Sequence, residues 1–86
     1  MTTAQDVKGA LVSVLGPSLR AAGFSSAGVD DDLDLRKAGL VDSLGFMRLL
    51  TELERQIGRS IDLSGLAPDL LTRVGPLTRH IAEQRS

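Results

Sequence analysis

The chain has no cysteine, tryptophan or tyrosine, and only two aromatic residues, Phe24 and Phe46. Without cysteine there are no disulfides, no thiolate metal ligands and no cysteine nucleophile. Nothing in the composition points to an oxidising compartment. The near-absence of aromatics makes the expected core aliphatic, built from Leu, Val and Ile. Charge of one sign is also lacking, since 10 Lys and Arg face 11 Asp and Glu for a net charge of −1. That balance argues against bulk electrostatic binding to nucleic acid. Long apolar runs are missing too, and no stretch approaches the length of a membrane span. The opening MTTAQDVKGA has neither a basic segment nor an apolar one, so no secretory leader is read. The expectation is a cytoplasmic monomer with no nucleic-acid or membrane partner, in which 1–86 form a single domain.

Periodicity organises what is present. Val7, Leu11, Val14, Leu15, Leu19 and Ala22 recur every three or four residues and predict a helix over 4–22. Thr3 and Asp6 form a capping-box variant at its start. Gly16-Pro17 interrupts the pattern without changing its phase, which predicts a kinked or two-part helix. A long connection follows, broken by Gly23, Ser25, Ser26 and Gly28 and then acidic through VDDDLDLRKAGLVD. Val29, Leu33, Leu35 and Leu40 are its expected anchors. Asp30, Asp32 and Asp34 alternate like calcium ligands, but Leu35 stands where that loop needs glycine and Val41 where it needs glutamate. These acids read as a solvated loop.

The clearest helix is 43–58, with Phe46, Leu49, Leu50, Leu53 and Ile57 on one face and Gly58 as its stop. A short helical turn is expected over 66–72 and a last helix over 76–84, with Pro76 in its first turn. No segment alternates as a strand does. The fold class is therefore all-α: a small bundle of three longer helices and one short one, with a long loop between the first and second helices.

Within LVDSLGF (40–46), Asp42-Ser43 opens the second helix. Three readings of Ser43 are available. Either residue can cap the helix, because its oxygen accepts from the unpaired N–H groups of the first turn. A nucleophilic serine needs a base, and the only histidine, His80, sits near the C-terminus without a G-x-S-x-G elbow or strands to mount one. His80 reads instead as an edge residue whose cationic form suits a helix C-terminus. Nucleotide-binding glycine motifs and metal-spaced His and acid clusters are absent, so the chain does not read as an enzyme. The third reading is attachment, since a phosphate ester on Ser43 would meet free N–H groups and a favourable helix dipole.

The run DLDLRKAGLVDSLGF (32–46) resembles the acyl and peptidyl carrier proteins. Gly39, Asp42, Ser43 and Leu44 match their signature, the helix LGFMRLLTELERQIGRSIDL (44–63) continues the likeness, and TRVGPLTRHI (72–81) looks like their last helix with its lead-in. Residues before 31 match only in length and in one amphipathic helix. The resemblance implies a 4′-phosphopantetheine arm, derived from coenzyme A, on Ser43. It implies modification by a phosphopantetheinyl transferase, with Asp42 capping the helix or assisting that encounter. Further implied partners are an acyl- or aminoacyl-loading ligase and downstream acyl-transfer, condensing or tailoring enzymes. Two residues separate Gly39 from Asp42, a spacing closest to D-alanyl and aminoacyl carriers. Together with the neutral charge, this implies a free-standing carrier in a dedicated, secondary-metabolic pathway, not in fatty acid synthesis. The alternative is an unmodified helical interaction module of the same fold. A nucleic-acid regulator fits poorly, because Arg73, Arg79 and Arg85 form no dense basic face.

At about 100° per residue, Leu44, Met47, Arg48, Thr51 and Arg55 gather away from the core stripe, with Glu54 at the boundary. The resemblance makes this helix a docking surface, and these five residues are the expected partner contacts. Met47 could alternatively fill a gap under the loop.

Overall fold

The computed structural model describes residues 3–25 and 28–84, so Ser26 and Arg85 lie outside the described residues. Three α-helices form in chain order: α1 (Ala4–Ala21), α2 (Ser43–Ile57) and α3 (Val74–Glu83). The fold is helical, with no strand among the described residues. The fourth expected helix is only a 3₁₀ turn, Pro68–Leu70. Each end of that short segment is set by Pro68 and by the chain's turn into α3, which leaves no room for α-helical bonds to propagate.

Helix α1 starts on the capping box expected of Thr3 and Asp6. The Asp6 N–H donates to Thr3 Oγ1 and the Thr3 N–H donates to Asp6 Oδ2, both at 3.1 Å. The helix is continuous through Pro17, not two-part. Pro17 lies in the last turns and its ring faces solvent, so the helix tolerates one missing bond. Val7, Leu11, Leu15 and Leu19 are buried; Val14 is half-buried, and Ala22 is exposed beyond the helix end.

Helix α1 packs against both α2 and α3, which touch each other little. The core is aliphatic as expected: the α1 stripe meets Leu49 and Leu53 of α2, Val74, Leu77 and Ile81 of α3, and Val29, Leu35 and Leu40 of the loop. Burying such a side chain contributes roughly 1.5–3 kcal/mol.

The long loop is ordered by backbone bonds and by its acids. Asp30 Oδ1 accepts the Asp32 N–H, and Asp34 Oδ1 accepts the N–H groups of Arg36 and Lys37. Asp30 and Asp32 are exposed, as a solvated loop requires, and Asp30 and Asp34 also make turns. A helical turn then ends in a Schellman motif: the Leu40 N–H donates to Leu35 O at 2.9 Å and the Gly39 N–H to Arg36 O at 3.0 Å. Gly39 has φ +77°, where a side chain would be strained. The motif packs Leu40 beside Leu35 in the core and directs the next residues toward α2.

Helix α3 begins at Val74, two residues before its expected start. No side chain caps it. Instead the Val74 N–H donates to Leu33 O at 3.0 Å and the Gly75 N–H to Asp31 O at 2.9 Å. Pro76 has no N–H to satisfy. Loop carbonyls thus supply what a local cap would supply elsewhere. The approach is close: a Cβ on Gly75 would lie 2.8 Å from Asp31 Cβ and 3.0 Å from its carbonyl oxygen.

Segment 59–64 is tied to both neighbouring helices. Glu54 of α2 accepts the Ile61 N–H at 2.8 Å. At the end of α3, Arg59 Nη2 donates to Ile81 O and Gln84 Nε2 to Ser60 O, both at 2.7 Å. His80 Nε2 lies 2.8 Å from Asp62 O. A carbonyl only accepts, so this nitrogen carries the proton. His80 therefore fastens a connection, in addition to standing near the helix C-terminus.

Candidate functional site

The start of α2 separates the roles of Asp42 and Ser43. Asp42 is the N-cap: its backbone is extended and Oδ1 accepts the Gly45 N–H at 2.6 Å. Its carbonyl accepts the Phe46 N–H at 2.8 Å. Ser43 is the first helical residue. It is exposed, and its hydroxyl bonds to no described residue. The capping reading therefore belongs to Asp42 and leaves Ser43 Oγ uncommitted. The N–H groups of Ser43 and Leu44 likewise meet no acceptor among the described residues, so the helix end has two free donors next to that hydroxyl.

Ser43 stands at the edge of an open cleft of about 450 Å³. Phe46, Met47 and Leu50 of α2 form one wall, Leu63, Pro68 and Leu71 face them, and Arg36, Asp42 and Thr72 complete the rim. Phe46 and Leu50, both assigned to the core stripe, are only half-buried because they line this cleft. Leu63 belongs to segment 59–64, which is bonded to α2 and α3. The rim is held by Asp34, whose Oδ1 accepts the Thr72 hydroxyl at 2.8 Å. Burial works against ionising this carboxyl, but the donors Lys37 N–H, Thr72 Oγ1 and Arg36 N–H, with the Lys37 charge, hold it below its ordinary value of 3.8. Asp62 is likewise lowered, by the Ser64 N–H and hydroxyl, against burial, and by the His80 charge.

Leu44, Met47, Arg48, Thr51 and Arg55 are all exposed on α2. Leu44 is 63% and Met47 60% exposed, so Met47 does not fill a gap under the loop. Thr51 turns its hydroxyl to Met47 O at 3.1 Å, and Arg55 pairs with Glu52 at 3.0 Å. Arg48 makes no ion pair with any described residue. The cleft itself is the feature that sequence reasoning missed, because Leu63, Pro68, Leu71 and Thr72 come to it from a segment about twenty or more residues beyond Ser43.

The family described as the phosphopantetheine attachment site matches residues 5–67, and the chain belongs to this family of acyl and peptidyl carrier proteins. Comparison with curated proteins and with solved structures returns no match. Family membership makes the protein a non-catalytic carrier of 4′-phosphopantetheine, modified by a phosphopantetheinyl transferase and engaged by partner enzymes. The start of α2 fits that group: a free hydroxyl, two free N–H donors and an apolar cleft converge there. No described helix is long and apolar enough to cross a membrane.

Proposed function

We propose that Ser43 bears the arm and that the protein carries an amino acid or a short acyl group for one dedicated pathway. The observation that supports Ser43 most directly is its release from capping by Asp42, which takes the Gly45 N–H at 2.6 Å. In the attachment reaction Ser43 Oγ forms the new bond to phosphorus as the bridging P–O bond of coenzyme A's pyrophosphate breaks; the hydroxyl proton passes to the transferase's base, and the nucleotide half leaves with the bridging oxygen. The arm supplies a terminal thiol on which cargo is held as a thioester. Tethering keeps that cargo at high effective concentration near each partner.

Intact mass tests the assignment. Incubated with coenzyme A and a promiscuous transferase, the wild type gains one phosphopantetheine unit and Ser43→Ala gains none. A Ser43→Ala protein that still gains it overturns the site, and a wild type that never gains it favours an unmodified interaction module.

The size of the cleft supports a small cargo. The cleft is open, about 450 Å³, at the small end of ligand sites. The enclosed interior is close-packed aliphatic core. Loaded forms should therefore differ little in melting temperature. Stabilisation that grows with acyl chain length would show instead that a long chain inserts.

Partner choice is assigned to Arg48, on the exposed face with Leu44 and Met47. An acid on a dedicated loading enzyme opposite Arg48 fits this face. A fatty-acid synthase enzyme selecting an acidic carrier helix does not.

A further inference from the structure

We propose that Arg36 is the anion contact of the cleft, and that the anion it holds is the phosphodiester linking the arm to Ser43. The inference rests on the reading that Ser43 bears the arm. Arg36 and Ser43 line the same cleft, and Arg36 is the only cation among the described residues that line it. The backbone of Arg36 is anchored. Its N–H donates to Asp34 Oδ1 at 3.0 Å and its carbonyl accepts the Gly39 N–H at 3.0 Å. Asp34 in turn receives the Thr72 hydroxyl from the segment that leads into α3. The side chain therefore leaves a fixed turn at the cleft's edge.

Asp34, which bonds the Arg36 N–H, and Asp42, which lines the same cleft, form no ion pair with this arginine. Asp34 Oδ1 is occupied by the N–H groups of Arg36 and Lys37 and by Thr72. Asp42 Oδ1 is occupied by the Gly45 N–H. The guanidinium makes no ion pair with any described residue. A guanidinium presents paired N–H donors that match phosphate oxygens. The free N–H groups of Ser43 and Leu44 supply donors from the helix end. A phosphodiester on Ser43 Oγ is thus served from two sides. Phe46, Met47 and Leu50 line the same cleft and would offer such an arm an apolar surface.

The test uses the full chain as wild type, Arg36→Gln and Arg36→Lys. Each is converted with coenzyme A and a transferase, and intact mass is checked first. Failure of the wild type to convert at Ser43 defeats the attachment reading before this inference is reached. On the converted proteins, ³¹P NMR reads the phosphodiester, and ¹H–¹⁵N spectra at mildly acidic pH read the Arg36 side-chain N–H before and after conversion. Melting curves confirm that each variant is folded. The Arg36 N–H signal should move on conversion. The ³¹P resonance should differ between wild type and Arg36→Gln, respond to salt only where Arg36 is present, and be partly restored by Arg36→Lys. An unmoved Arg36 signal with the same ³¹P position in both proteins overturns the proposal. Butyryl- and succinyl-loaded wild type form the second arm. If Arg36 responds only to the succinyl form, the anion is a cargo carboxylate, and the phosphodiester assignment is overturned.

Discussion

Thr72 donates its hydroxyl to Asp34 Oδ1 at 2.8 Å across 38 residues of sequence. The bond joins the loop that leads into α2 to the segment that leads into α3. Beside it the backbones pair briefly, through the Leu35 N–H on Thr72 O at 2.8 Å and the Val74 N–H on Leu33 O at 3.0 Å. The rim of the cleft is therefore a small patch of sheet-like pairing in a helical protein.

This bond makes acid stability informative. The folded-state pKa of Asp34 lies below its ordinary 3.8, so the ionised form stabilises the fold above that value. The contribution fades as pH falls through the depressed folded pKa. Asp34→Asn should be less stable than wild type near neutral pH, and the gap should narrow below 3.8. Urea titrations across that range measure it. A gap that does not change with pH would remove Asp34 ionisation as the cause.

Asp42 and Ser43 should separate cleanly in stability. Asp42→Ala loses the N-cap of α2 and should cost about 0.5–2 kcal/mol. Ser43→Ala removes an exposed hydroxyl with no partner among the described residues and should stay within about 0.5 kcal/mol of wild type. Chemical denaturation of the two variants decides this. Equal losses would mean that Ser43 shares the cap.

Gly75→Ala tests the junction of loop and helix. Its Cβ would press on Asp31 at 2.8 Å and 3.0 Å, and the second contact is backbone. Destabilisation of about 1–3 kcal/mol is expected, as for overpacking. A neutral result by thermal denaturation would show that the loop yields at no cost.

Arg48→Glu should leave the fold intact, because Arg48 is exposed and unpaired among the described residues. Loading by the cognate enzyme should slow, with the larger penalty at low salt, since rim charges act mainly on encounter. Stopped-flow loading over a salt series reads both effects. Identical kinetics for variant and wild type would remove Arg48 from partner selection.

The helices α1 and α2 are legible in the sequence because their causes are local: apolar spacing, the Thr3–Asp6 capping box and Gly58 as the last stop. The serine motif is legible for the same reason. The start of α3 is not, since its first donors are satisfied by Asp31 and Leu33 and no nearby residue marks the cap. Pro76 suits a first turn, which draws the expected boundary two residues too late. The cleft is illegible in kind, because periodicity assigns Phe46 and Leu50 a direction but not the neighbour they face.

The carbonyls that start α3 also bear on the timing of motion. Val74 and Gly75 keep their amide protons only while residues 31 and 33 are in place. Opening the loop unfastens the first turn of α3 in the same event, and with it the Leu35–Thr72 pairing at the cleft's rim. Such bonds exchange together as one cooperative unit. Hydrogen–deuterium exchange would then show Leu35, Val74 and Gly75 losing protection at a common rate. A common rate would make the opening of the cleft's rim and the fraying of α3 one process with one clock.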